Sequence, residues 1–483
     1  MLGKIYKLAV APSSMYVIIR YITYVIQFAN AILLARYLDG YYFGIYSFII
    51  LIMQYMSYSN FGINESLNTE YASHKGDNCQ LNAIWNNAWS INILLCAVIT
   101  VSCCTLFTVA DNLFSAYQFD DYKYSLLAIC ITVNLSRIYI TYYKLWGQLY
   151  KLNIQQILPN LTIFLLLVIW RNGITIPYIV IALLISNVIS LLIFRIGVPV
   201  APKFTITWDI VSVLIRRGII LLLYNLSFYF LAMLASSLVS LYYTVEQFGC
   251  YSFANTIVNG VVMAGGAFLF IFYPKILNRL NAGNAEAYAL IQRIRDIYIV
   301  FMDMISLLSI LFVIATTWVV PQYGMQMVGI YSVLMLGRIV NNASAGYAAF
   351  LIAKGKEGYL VAYGFLAIGI VAVCGIGVHY MNLSIESIAL SVAIASLVYT
   401  LLVIRLALSC LKRQYSAKAI LSEIFGMNKW LVCLIIILNV YLFHSYMILA
   451  GCMLLYSLVN FRNIKKAFTA GIKIISDTNA LVI

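Results

Sequence analysis

Charge is scarce in this chain: Asp, Glu, Lys and Arg together make up 10% of 483 residues, and only 16 positions are acidic. A soluble globule of that length has no adequate polar covering at such a composition, so a water-facing fold is excluded. Histidine occurs three times, as His74, His379 and His444, far apart at helix ends, where a solvated role outweighs a ligand role. The ten cysteines include one close pair, Cys103 and Cys104, and no CxxC spacing. Neither a metal site nor a disulfide framework is expected, and the thiols read as small core residues. No cofactor is implied. The absence of a Walker motif sets aside ATP hydrolysis by this chain. Strict apolar and polar alternation over ten-residue stretches is missing, which excludes a transmembrane barrel.

What the chain has in abundance is apolar surface, 64% of its residues, with a mean hydropathy of +0.94. The bilayer is the solvent that suits it. Apolar segments recur from Met15 to Phe461, each of the roughly 17 to 25 residues that a helix needs to cross a hydrocarbon core of about 30 Å. The pattern predicts an all-α polytopic membrane protein with about fourteen transmembrane helices. These lie near 15–37, 44–64, 83–108, 124–143, 154–170, 178–196, 217–238, 247–272, 296–319, 327–353, 359–379, 387–409, 430–444 and 446–461. Lys4 and Lys7 before an apolar run imitate a signal peptide, but Arg20 interrupts the run and its extent to Leu38 exceeds a signal core. It reads as the first span.

The basic residues orient the chain. With the N-terminus in the cytoplasm, the inner ends collect lysines and arginines from Lys4 and Lys7 through Lys144, Arg216, Arg217, Arg293, Arg295 and Lys412 to Lys466 and Lys473, whereas the outer ends receive Arg36, Lys123 and Arg171. This asymmetry is what the positive-inside rule requires, and it places both termini in the cytoplasm. The net charge of +14 therefore needs no nucleic-acid partner. The same rule divides Trp430–Phe461 into a hairpin turning near His444–Ser445, because Lys429 and Arg462 then face one compartment. The outer connections are short, the longest running about from Ala110 to Lys123. An integral-membrane enzyme of glycan assembly, one alternative reading, would carry its catalytic groups on a larger external loop.

An internal echo organises the spans. Phe43-Gly44-Ile45-Tyr46-Ser47-Phe48 returns as Phe248-Gly249-Cys250-Tyr251-Ser252-Phe253, a shift of 205 positions that also pairs Tyr37 with Tyr242 and Arg20 with Asn225. Chance in a biased composition is one explanation. The equivalent topological positions favour duplication, with two parallel, pseudo-symmetric six-helix lobes. The expected domains are 1–197 for the first lobe, 198–216 for a cytoplasmic linker, 217–410 for the second lobe, and 411–483 for a C-terminal hairpin and tail. Trp208–Ile215, within the linker, suits an interfacial helix.

Three arginines fall inside spans, Arg20, Arg137 and Arg338. Each is disfavoured in lipid by about 2.5 to 3.5 kcal/mol on insertion scales, so each should face a cavity. Arg20, Thr23, Tyr24, Gln27 and Asn30 share an arc of roughly 120° on a helix. Asn134, Arg137, Thr141 and Lys144 share a face of the fourth span, and Tyr331, Arg338, Asn341 and Asn342 a face of the tenth. Guanidinium groups suit a diphosphate, which they grip with paired hydrogen bonds at any physiological pH; amides and tyrosines suit sugar hydroxyls. The candidate substrate-binding residues are Arg20, Tyr24, Gln27, Asn30, Arg137, Arg338, Asn341 and Asn342. Asp303 and Glu65 are the candidates for proton or sodium coupling. The plainer readings are snorkelling for Arg20 and Arg137, an Asp303 ion pair for Arg338, a solvated helix end for Glu65, and helix-to-helix bonding for the amides.

The run Leu33-Leu34-Ala35-Arg36-Tyr37-Leu38, followed by Phe43-Gly44-Ile45-Tyr46 and by Phe61-Gly62-Ile63-Asn64-Glu65, resembles the start of the bacterial O-antigen and capsule repeat-unit flippases. These are lipid-linked oligosaccharide flippases of the multidrug, oligosaccharidyl-lipid and polysaccharide exporter superfamily. The resemblance extends over the chain in helix count and paired lobes, with its sequence support in the first 75 residues. It implies an inner-membrane transporter, not an enzyme, that carries an undecaprenyl-diphosphate-linked oligosaccharide across by alternating access. It also implies membrane lipids, a glycan polymerase and a chain-length protein as partners. The alternative within the superfamily is a small-molecule exporter, which would show acidic sites for organic cations.

Overall fold

The computed structural model describes residues 12–73, 78–109, 114–145, 148–170, 173–198, 202–280, 284–413, 415–426, 431, 433–435, 446–466 and 469. Among these residues every regular element is a helix. The chain is an all-α, polytopic membrane protein, as its hydropathy requires. It divides into two compact units, Met1–Leu226 and Ser227–Ile483. The first contains α1 (Pro12–Tyr37), α2 (Gly40–Met56), α3 (Ile63–Ser73), α4 (Asn78–Val109), α5 (Phe119–Leu145), α6 (Ile154–Ile169) and α7 (Ile176–Gly197). The boundary falls within α8 (Trp208–Tyr242), after which come α9 (Val245–Leu280), α10 (Asn284–Val319), α11 (Gly324–Asn341), α12 (Tyr347–Ala353), α13 (Glu357–Tyr380), α14 (Ile385–Cys410), α15 (Ala417–Phe425) and α16 (Tyr446–Val459).

Among the described residues nine helices are long and apolar enough to cross a membrane, and Gly40–Met56 and Tyr229–Tyr242 are shorter apolar helices. Both α9 and α10 have 36 residues, about 54 Å at 1.5 Å per residue, well beyond a hydrocarbon core of about 30 Å. Their polar ends lie past the apolar run, which is why hydropathy places the α10 start at 296 instead of Asn284. The predicted hairpin turn at His444–Ser445, together with Lys4, Lys7, His74, Arg171 and Trp430, lies outside the described residues.

Two predicted spans are each broken in the structure. The second span stops at Met56 and resumes at Ile63, with Phe61 at φ 48° and Gly62 at φ 74° between them. Positive φ is open to glycine but strained for phenylalanine. Gly62 also lies against the backbone of Gly218 in α8, where a Cβ would meet the Gly218 carbonyl. Hydropathy sees none of this, because the break is carried by two glycines 156 positions apart. The tenth span stops at Asn341, passes through a short 3-10 turn and Gly346 at φ 83°, and resumes as α12.

Polar side chains satisfy the backbone where helices end. Asp39 caps α2, its carboxylate accepting from Tyr42 N–H at 2.9 Å. At the start of α9, Thr244 and Gln247 form a reciprocal capping pair. The two capping residues are 205 positions apart, and Tyr37 and Tyr242 end the preceding helices in the same register. Before α8 the segment 202–207 has no regular secondary structure, and the N–H groups of Lys203, Thr205 and Thr207 donate to Asn86 Oδ1, Ser90 Oγ and Asn87 Oδ1 of α4 at 3.0, 2.9 and 2.6 Å. Trp208–Ile215, read from sequence as an interfacial helix, is instead the first part of the continuous α8. A buried cluster including Leu67, Trp85, Tyr139, Tyr143, Phe194 and Leu214 packs α3, α4, α5, α7 and α8 together.

Candidate functional site

In the first unit, Arg20 is half-buried, and its Nε donates to Tyr24 Oη at 2.6 Å one turn along α1. The guanidinium also lies 5.7 Å from the centre of that ring. The predicted polar stripe then divides. Gln27 is exposed, whereas Thr23 and Asn30 are 1% and 3% exposed. Asn30 Nδ2 donates to the Asn160 carbonyl of α6 at 2.7 Å, the helix-to-helix bond that was the plainer reading for amides.

Arg137 of α5 reaches the break in the second span. Its Nη1 donates to the Ser57 carbonyl at 2.5 Å, one of the carbonyls that a helix C-terminus leaves without an intrahelical donor. One turn earlier, Asn134 Nδ2 donates to Ser59 Oγ at 2.9 Å and to the Met56 carbonyl at 3.4 Å. Arg137 is also within electrostatic range of Glu65 and Tyr58. Two residues singled out separately from sequence, one for substrate and one for ion coupling, are thus neighbours, and the arginine is engaged in holding an interrupted helix.

Arg338 occupies a different setting in the second unit. It lines a small cavity with Tyr251, Asn255, Val258, Val392 and Ser396. Its Nη2 donates to Asn259 Oδ1 at 3.4 Å, and Tyr251 and Tyr229 are its electrostatic neighbours. Tyr251, Asn255 and Asn259 repeat every fourth residue on α9 and so present one polar face to it. Gly337 permits the arrangement, since a Cβ there would stand 3.0 Å from Ala393 Cα of α14. The expected alternative, an ion pair with Asp303, is not formed. Asp303 is fully buried on α10, within electrostatic range of Tyr456 of α16. Among the described residues no acid pairs with Arg338. Asn341 Oδ1 accepts from Thr400 Oγ1 at 3.5 Å, and Asn342 Nδ2 is buried with no partner among the described residues.

Sequence reasoning missed a polar network centred on Arg295 and Glu423. Arg295, assigned to an inner loop, is 4% exposed on α10 and forms an ion pair with Glu423 of α15. It donates further to the Glu423 carbonyl, and to Tyr347 Oη at 3.2 Å, and its guanidinium lies 4.8 Å from the Tyr347 ring centre. Gln292 Nε2 donates to Glu423 Oε1 and to Tyr347 Oη, each at 3.2 Å, and Tyr288 Oη donates to Glu423 Oε1 at 3.4 Å. The available signal was an acid on the apolar face of a short helix: Glu423 sits beside Ile420 and Ile424, which are 6% and 0% exposed.

Among the described residues no group of three or more His, Cys, Asp or Glu side chains is placed to hold a metal ion. The fold has clear relatives among solved structures. It resembles the lipid II flippase MurJ in an inward closed conformation, with a TM-score of 0.65, 13% identity, and coverage of 93% of this chain and 99% of that one. It also resembles a multidrug resistance MATE family transporter of the MOP superfamily. The inward-facing form gives a TM-score of 0.61 at 14% identity over 81% of this chain and 95% of that one. The outward-facing form gives 0.52 at 15% identity over 84% and 98%. At such identities the likeness is one of fold. Comparison with curated proteins gives no significant match. The model of the polysaccharide biosynthesis protein family matches residues 10–276, more than half of the sequence, and the chain belongs to that family.

Proposed function

We propose that this protein is a flippase that moves undecaprenyl-diphosphate-linked oligosaccharide repeat units from the cytoplasmic to the periplasmic leaflet of the inner membrane by alternating access. The observation that carries the reading is Arg338, a cation inside a membrane span, lined by amides and hydroxyls, with no acid paired to it among the described residues. A positive charge within a span is disfavoured in lipid and marks a candidate functional site, and a diphosphate presents the paired oxygens that guanidinium recognises. Membership of a polysaccharide biosynthesis family and the fold shared with a lipid II flippase support the same substrate class. The Arg338 cavity, at ≈ 10 Å³, has space for about one water. A head group therefore enters only after helices move apart, in keeping with alternating access.

Arg20 and Tyr24 are proposed as further contacts to the head group, with Asn341 and Asn342 beside Arg338. Arg137 and Asn30 act on the backbone of neighbouring helices and hold the fold around those contacts. A small-molecule exporter of organic cations has the same fold available to it, but an arginine with no acid paired to it among the described residues opposes a cationic ligand.

Deleting the gene and analysing lipid-linked intermediates tests this reading. Complete repeat units are expected to accumulate on the inner leaflet. Short or unpolymerised glycan outside the cell would instead identify an enzyme of assembly.

A further inference from the structure

Arg405 lies inside α14 near its end, but it lines no part of the Arg338 cavity. It is exposed. At 100° per residue it continues the stripe of Leu390, Ile394, Val398 and Leu401, of which Leu390 and Ile394 are 41% and 44% exposed. Apolar side chains exposed along a membrane span face acyl chains, so Arg405 ends a lipid-facing stripe. Among the described residues the ion pairs join Lys123 to Asp120, Arg217 to Glu70 and Arg295 to Glu423, and Arg405 is in none of them. Its depth is informative. α14 has 26 residues, about 39 Å, and so exceeds a hydrocarbon core of about 30 Å by about 4 to 5 Å at each end. Arg405 precedes the end at Cys410 by about 7.5 Å. Its Cα therefore falls just inside the apolar boundary, and its long stem carries the guanidinium to the level of lipid phosphates.

The neighbouring α13 packs along α14 and brings phenols and a second cation to the same level. Tyr363, in the second turn of α13, is within electrostatic range of Arg405 and Cys410. Tyr359 stands one turn earlier, its ring centre 6.4 Å from that of Tyr363, and Lys356 Nζ lies 5.7 Å from the Tyr359 ring centre. Glu357, the acid of that first turn, is about 160° from Tyr359 around the helix and does not share this face. A guanidinium, an ammonium and two phenols thus meet above an apolar stripe. Basic pockets between transmembrane helices on the cytoplasmic side recognise anionic head groups, and the distribution of basic residues reads these helix ends as cytoplasmic.

We propose that the inner ends of α13 and α14 hold the head group of an anionic phospholipid, with Arg405 and Lys356 at its phosphate and Tyr359 and Tyr363 at its ester and glycerol oxygens. The acyl chains lie along Leu390 and Ile394. The site is independent of the identity of the transported substrate.

Native mass spectrometry of the purified full-length chain, titrated in detergent with phosphatidylglycerol or phosphatidylcholine, tests it. The parent is expected to retain phosphatidylglycerol in preference to phosphatidylcholine, and Arg405→Gln to weaken the tightest phosphatidylglycerol association by about five-fold. Lys418→Gln removes the same charge from exposed α15 and should leave that association unchanged. Inorganic phosphate in excess should not displace the lipid. Should Arg405→Gln fail to accumulate, Tyr363→Phe carries the test, with weakened association expected. Equal retention of the two lipids by the parent overturns the proposal, as does parental affinity in the variant that carries the test. Equal weakening by Lys418→Gln would reduce the effect to net charge and overturn it too. Displacement by inorganic phosphate would make this a site for free anions and defeat the lipid assignment.

Discussion

Glutamine in place of Glu423 is expected to lower the unfolding free energy by about 3–5 kcal/mol, the range seen when one partner of a buried ion pair is removed. Arg295 and Glu423 side chains are only 5% and 17% exposed, so solvent screens the pair little. Removing the carboxylate charge strands the guanidinium among Tyr347, Gln292 and the Glu423 backbone carbonyl. The double substitution Arg295→Met with Glu423→Leu removes both charges and retains apolar volume, so it should recover most of the loss. Thermal unfolding of the three proteins in detergent checks this. A single variant as stable as the parent, or a double variant worse than the single, would show that the pair does not hold α15 to α10.

Arg338→Ala should behave in the opposite way. No acid pairs with this arginine among the described residues, so its removal strands no counter-charge, and membrane abundance should stay near that of the parent. Transport should fall steeply. Charge-assisted hydrogen bonds contribute about 1.5–3 kcal/mol, equivalent to roughly a 10- to 100-fold loss of flux if they are made to the moving head group. Lysine restores the charge without the planar fork, so Arg338→Lys should recover only part of the activity. Surface polysaccharide measured at matched protein levels reads this out. Normal export by both variants would remove Arg338 from the substrate path.

These two arginines show how far the sequence was legible. Both lie on apolar helices, and the rule that intramembrane cations serve function singles out Arg338. It passes over Arg295, because the polar start of α10 reads as a loop and because Glu423 lies 128 positions away on a helix too short to register as a span. Helix type and approximate limits follow from hydropathy, since in lipid every backbone group has to be satisfied within its own segment. The breaks do not follow from it. That at Ser57–Gly62 depends on Gly62 meeting Gly218 and on Asn134 and Arg137 supplying donors to Met56 and Ser57, and no local pattern records such distant partners. For the same reason Arg137 looked from sequence like a substrate contact, while the structure engages it with a backbone carbonyl. Asn30 likewise proves to be bonded to the Asn160 carbonyl. The 205-position echo was visible because its aromatic and glycine residues sit at a helix start, where Asp39 and Thr244 cap equivalent first turns.

The central physical claim is that Arg338, a half-buried arginine with no acid paired to it among the described residues, receives an acidic lipid head group. The most direct measurement is translocation of an undecaprenyl-diphosphate-linked oligosaccharide across proteoliposomes that contain the purified protein, the parent beside Arg338→Ala at equal reconstitution. The expected result is transfer by the parent and a rate lower by about 10- to 100-fold in the variant. Equal rates in the two, or no transfer by the parent above protein-free vesicles, would contradict the claim.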